Sequence, residues 1–132
     1  MSHNIIIYNT GDFIRKTEKG LLDLDRSVEI VQQLAEAAAH HSDCDILLDL
    51  RDTDSSISYT DIMGVAREFV RHRFVFQNKI AVIIPEEEQR YAKTQILHTC
   101  LDLEGFEAEV FVNYEQAIDW LSTMTQFASG PT

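Results

Sequence analysis

Two uninterrupted apolar runs constrain this chain more than anything else in it. Cys44 to Leu50 reads C-D-I-L-L-D-L, and Lys79 to Ile84 reads K-I-A-V-I-I. A strand whose central positions are all apolar is covered on both faces. That pattern belongs to parallel sheets, whose crossover helices pack against the faces. Around the runs the apolar period becomes helical. Helix 1 is expected over about Asp25–His41, with Leu24, Val28, Val31, Ala35 and Ala38 at helical spacing. Helix 2 is expected over about Thr60–Phe74, through Ile62, Ala66, Phe69 and Val70, with Met63 and Phe74 widening the apolar face. Thr60 or Ser58 caps it, and Asp61 stands in its first turn. Pro85 is expected to end the second run and open helix 3, with Glu86, Glu87 and Glu88 in the first turn. Ile96, Leu97, Cys100, Leu101 and Leu103 would form its inner face, and Gly105 would stop it. A strand over Ala108–Val112 and a helix over Glu115–Met124 close the chain.

Ahead of helix 1, Asn4–Asn9 is a short β-branched run. Thr10-Gly11-Asp12 supplies turn chemistry, and Phe13–Thr17 returns as the second strand of a hairpin. The order is β-β-α-β-α-β-α-β-α. It predicts an α/β domain with a mostly parallel five-stranded sheet and four helices, joined by right-handed crossovers. A chain of 132 residues is the size of one domain. We assign residues 1–125 to it and 126–132 to a loose tail.

The charge balance narrows the partners. Twenty-two acidic against 11 basic residues give a net charge of −11. Such a surface repels phosphate backbones and anionic membranes, so no nucleic acid and no membrane insertion are expected. The first residues carry no signal peptide, and no apolar run approaches the ~20 residues of a membrane helix, so a cytoplasmic location is expected. Cys44 and Cys100 sit within apolar patterns and read as reduced thiols.

The standard motifs of α/β enzymes are missing. There is no G-x-G-x-x-G, no G-x-x-x-x-G-K-[ST] and no G-x-S-x-G. No nucleophile stands at recognisable spacing from a base, so no catalysis is expected. The first strand ends in Tyr8-Asn9-Thr10, which lacks the acidic pair of a phospho-receiver. Asp49, Asp52 and Asp54 lie near a strand's C-terminal end but lack the Gly and distal Glu of a Ca²⁺ loop. His40 and His41 suit a helix C-terminus. Neither a metal nor a cofactor is expected.

Two segments remain as candidate sites. Arg67, Arg71 and Arg73, beside His72 and near Lys79, are a candidate anion or docking patch, although pairing with Glu68 explains them more simply. The stretch Asp52–Tyr59 has no apolar period and reads as a loop. Within it Ser55 and Ser56 precede a helix N-terminus, where an added phosphate would meet the helix dipole. They are the candidate phosphosite, and Asp49, Arg51, Asp54 and Thr60 are the residues placed to meet a ligand or partner there.

A family resemblance rests on Gly20-Leu21 with Asp23 and Asp25, on Ile46-Leu47-Leu48-Asp49-Leu50-Arg51, and on Lys79–Ile84. It continues through Gly105-Phe106, Val110-Phe111 and Glu115–Leu121. Together these are similar to the STAS-domain superfamily, in its SpoIIAA-like branch of proteins resembling anti-sigma factor antagonists. The resemblance implies a sheet with helices mainly on one side and no catalysis. Asp54-Ser55-Ser56 resembles the D-S pattern at which STAS regulators are phosphorylated by a partner kinase. The expectation is a non-enzymatic regulatory module acting through protein–protein contacts, switched by phosphorylation in the 52–60 loop. The alternative is a carrier of a small apolar molecule or lipid, motivated by Met63, Phe69 and Phe74 near that loop. An oligomer through an apolar face of helix 2 or helix 3 is left open.

Overall fold

The computed structural model describes residues 5–7 and 13–123. Its elements are β1 (Ile5–Ile7), β2 (Phe13–Leu22), α1 (Leu24–His40), β3 (Asp45–Ser55), α2 (Tyr59–Arg71), β4 (Ile80–Ile83), α3 (Glu88–Leu103), β5 (Ala108–Phe111) and α4 (Tyr114–Ser122). The expected turn at Thr10–Asp12, the helix end at Met124 and the 126–132 tail lie outside the described residues.

The strands lie side by side in chain order, β1-β2-β3-β4-β5. β1 pairs antiparallel with β2, and every later pair is parallel. Each crossover from β2 to β5 therefore steps the same way across the sheet. Right-handed crossovers in one direction put all their helices on one face. The packing agrees: Ile30, Val31 and Leu34 of α1, Val65 and Phe69 of α2, and Leu101 of α3 share one core with Ile46, Leu48 and Ile80. The other face of β3 and β4 offers Leu47, Ala81 and Ile83 to Ala117 and Leu121 of α4. Buried Lys79 anchors that last helix, donating to the carbonyls of Trp120 and Thr123 with its ammonium over the Trp120 ring. It is thus no part of a basic patch. Two-sided cover explains why the two apolar runs are continuous.

β3 is longer than expected. The stretch Asp52–Ser55 is strand and not loop, because it pairs with Lys19–Leu22 of an equally extended β2. Thr17 faces Asp49 and Lys19 faces Asp52, so β3 carries one extra residue between them, a bulge. The Asp49 carboxylate accepts from the Arg51 N–H at the bulge.

Helix ends follow local chemistry. Asp23 caps α1, accepting from the Arg26 N–H at 2.8 Å. Ser58, not Thr60, caps α2, and Asp61 returns a bond to the Ser58 N–H in a capping box. Pro85 does not open α3; the helix begins at Glu88 with Glu87 as cap. At the far end Phe106 donates to Leu101 O and Gly105 to Asp102 O, with Gly105 at φ +91°. This is a Schellman turn, which wants glycine at that position. Gly105→Ala should cost about 1 kcal/mol in a urea titration.

Two apolar faces are corrected. α2 stops at Arg71, and turns at Val70–Arg73 and His72–Val75 leave Phe74 85% exposed. On α3 Ile96 and Leu103 face solvent, and Leu101 is buried together with Arg90.

Candidate functional site

The middle of β3 and the C-terminal end of β4 form the floor of an apolar cavity of about 100 Å³, and α1, α2 and α3 pack around it. Leu48, Leu50, Val82 and Ile84 line the floor, and Val31, Phe69 and Leu97 are among the residues above. Open α/β sheets bind ligands at the carboxyl ends of their strands. The polar members of the lining are Ser27, Ser55, Arg90, Lys93 and Thr94.

Arg90 is 8% exposed. Its guanidinium donates to Thr53 O at 3.1 Å and Thr53 Oγ1 at 2.7 Å. Burial pushes its pKa down from the ordinary arginine value, opposed by Asp54 and Glu87. Neither comes within ion-pair distance. Lys93, one turn later, donates to Ile57 O at 2.7 Å and lies over the Tyr59 ring, tying the segment before α2 to α3. Ser27 is 8% exposed, and its hydroxyl has no hydrogen-bond partner among the described residues.

The candidate switch segment forms one side of this cavity. Ser55 ends β3, is half-buried, lines the cavity and accepts from the Ile57 N–H. Ser56 is exposed, and its N–H donates to Leu22 O. Asp54 and Thr60 are exposed beside it. Tyr59 and Met63, one turn apart on α2, are 53% and 48% exposed. Met63 Sδ lies 3.9 Å from Cys100 Sγ, which joins that surface to α3. Ser58→Ala should remove the cap and cost about 1 kcal/mol, measured by urea unfolding.

Asp49 and Arg51 are elsewhere. Asp49 is 4% exposed and shares the α4 face of the sheet. It takes both Nε and Nη2 of Arg51, at 2.9 and 2.6 Å, with Arg15 at 3.6 Å. Both guanidiniums lie over the Tyr114 ring. Burial alone would raise the Asp49 pKa, but the hydrogen bonds from Arg51 and the charges of Arg51 and Arg15 hold it below the usual carboxylate range. The structure therefore separates Asp49 and Arg51 from Asp54, Ser55, Ser56 and Thr60.

The arginine patch is also divided. Arg71 meets Glu68 at 3.5 Å, and Arg73 reaches Glu104 at 2.7 Å while lying over the Phe106 ring. Arg67 is exposed on α2. Among the described residues no three His, Cys, Asp or Glu side chains gather as a metal site would need. None of the described helices is long and apolar enough to cross a membrane.

Sequence reasoning missed Arg90, Lys93 and Ser27. A signal was present. Arg90, Thr94, Leu97 and Leu101 follow a 4-3-4 spacing that puts a cation on the apolar stripe of α3. Ser27, Ile30, Val31 and Leu34 do the same with a hydroxyl on α1.

Known proteins resemble this arrangement. A crystal structure of an uncharacterised protein of the DUF3478 family with a SpoIIAA-like fold, from Shewanella loihica PV-4, superposes with a TM-score of 0.58 at 19% identity, covering 89% of this chain and 90% of that one. The anti-sigma factor antagonist SpoIIAA in its unphosphorylated form superposes with a TM-score of 0.53 at 12% identity, covering 91% and 97%. No curated protein matches the chain in sequence. At these identities the two structures speak for the fold. The SpoIIAA-like family profile matches residues 15–122, from near the start of β2 to the end of α4. That span holds the parallel sheet, all four helices and the cavity between them, and the chain belongs to the SpoIIAA-like family.

Proposed function

We propose that this chain is a non-enzymatic regulatory module that binds a protein partner over the surface from Ser55 to Met63, and that phosphorylation of Ser56 weakens that contact. The observation behind it is the position of Ser56. It is exposed between a strand end and a capped helix, and it stands close in sequence to exposed Tyr59 and Met63. Ser55 is the poorer acceptor, because it is half-buried and its hydroxyl accepts from the Ile57 N–H, whereas Ser56 is exposed and its hydroxyl makes only a long, 3.5 Å bond to Leu22 O. A phosphate adds a charge of about −1.5 to −2 and must be desolvated in any apolar contact made there. Asp54 and Asp61 sit nearby and add repulsion. The likeness in fold to SpoIIAA, an anti-sigma factor antagonist described in its unphosphorylated form, supports the reading. Against a partner purified from the host, Tyr59→Ala and Met63→Ala should each weaken binding about tenfold. Ser56→Asp should do the same and Ser56→Ala should not. Equal binding by Ser56→Asp and Ser56→Ala would remove the switch.

A second reading is favoured by the cavity, whose floor is apolar and whose walls are mostly so. It would hold a small apolar guest, and Ser55 and Ile57 on its rim would join that guest to the partner surface. Benzene or 1-pentanol should raise the melting temperature if the cavity takes guests.

A further inference from the structure

We infer that the cavity receives the alkyl chain of a short carboxylic acid, with the carboxylate head paired to Arg90. The inference rests on the second reading above, that the cavity takes a guest, and adds what the guest is.

Three observations point to the head group. Arg90 is a buried cation with no carboxylate within 4 Å among the described residues, and only two of its five N–H groups are used, both on Thr53. A desolvated charge is strongly unfavourable unless a counter-charge meets it. Arg90 is also the third residue of a 16-residue helix, so the positive end of the α3 dipole adds to its field. Lys93, three residues on, lines the same cavity with no carboxylate within 4 Å among the described residues, although its ammonium is held by Ile57 O. These two cations meet at the cavity in a chain of net charge −11. Independently, the Ser27 hydroxyl is buried in the same lining without a partner. Buried hydroxyls are seldom left so, and a guest with oxygen atoms would satisfy it.

The planar fork of arginine matches the two oxygens of a carboxylate. The floor fixes the tail. A dry cavity of about 150 Å³ accommodates benzene, so about 100 Å³ takes a tail of roughly four carbons.

The test uses calorimetry on the full chain at pH 7.5, with sodium pentanoate and 1-pentanol as probes of equal carbon number. Pentanoate should bind at least about tenfold more tightly than pentanol, as expected for a charge-assisted pair. Arg90→Met should abolish the preference while keeping pentanol binding. Ser27→Ala should weaken pentanoate severalfold. If pentanol binds as well as pentanoate to the unsubstituted protein, the carboxylate inference is overturned and the apolar cavity stands. If neither binds, the cavity reading fails and the inference with it. The two-probe comparison needs no substitution, so a poorly folded Arg90→Met protein would not spare the inference.

Discussion

Phe69→Ala is expected to lower the free energy of unfolding by about 3–5 kcal/mol, the cost of deleting a buried aromatic ring and leaving a void. Phe69 is 3% exposed. Its ring lies 5.2 Å from that of Phe76 and 6.1 Å from that of Phe106, the edge-on and tilted geometry aromatic rings prefer. Phe76 and Phe106 themselves lie 6.5 Å apart, so Phe69 completes a three-ring cluster binding α2 to the segments before β4 and after α3. A domain of this kind holds about 5–15 kcal/mol in total. The loss is therefore a large fraction, visible as a lower urea midpoint. Phe69 also lines the cavity. Its removal should enlarge that space, so benzene should raise the melting temperature of Phe69→Ala more than that of the parent protein. Equal shifts would mean that the vacated volume collapses.

Asp49→Asn should cost about 2 kcal/mol at pH 7, the worth of charged hydrogen bonds to a buried carboxylate. The figure is held down because Arg51 is 41% exposed and partly solvated without it. Glu18 is a second carboxylate of this kind. Burial would raise its pKa, but Lys16 and Arg26, each at 2.6 Å, hold it low. A depressed folded pKa means that stability is fully present above the unfolded value, about 3.9 for Asp and 4.3 for Glu, and is lost as the pH falls through the folded pKa. Asp45 acts in the opposite sense, because burial raises its pKa and the Lys79 N–H offsets this only in part. The net expectation is flat stability near neutrality and a steep loss below about pH 4. The gap between Asp49→Asn and the parent protein should close over the same range. Urea midpoints at several pH values would show it, and a gap undiminished between pH 7 and pH 2 would refute the ion-pair origin.

The buried strands were legible because Ile46–Leu48 and Ile80–Ile84 offer apolar side chains to both faces, and only a doubly covered sheet asks for that. Alternation with helical periods then led to the right topology. Asp52–Ser55 was not legible as strand. Its side chains are polar, and it holds its place by backbone pairing to Lys19–Leu22 across a bulge that leaves no apolar trace. Ile96 and Leu103 fitted a helical stripe, yet the sheet beneath α3 meets the stripe that begins at Arg90. Ser55 and Ser56 were indistinguishable until strand pairing turned one toward the cavity and left the other in solvent. Asp49 and Arg51 belonged with them by proximity in sequence. The alternation of a strand sent Asp49 to the other face, where Arg15 and Tyr114 complete its surroundings.

The most direct test of the regulatory reading is a site-resolved mass measurement on the protein isolated from its own host across growth stages. The expected result is a fraction carrying one phosphate, localised to Ser56 and changing with growth stage, with Ser55 unmodified. A chain that stays unmodified at every stage, or that carries the phosphate away from the Ser55–Thr60 segment, would contradict it.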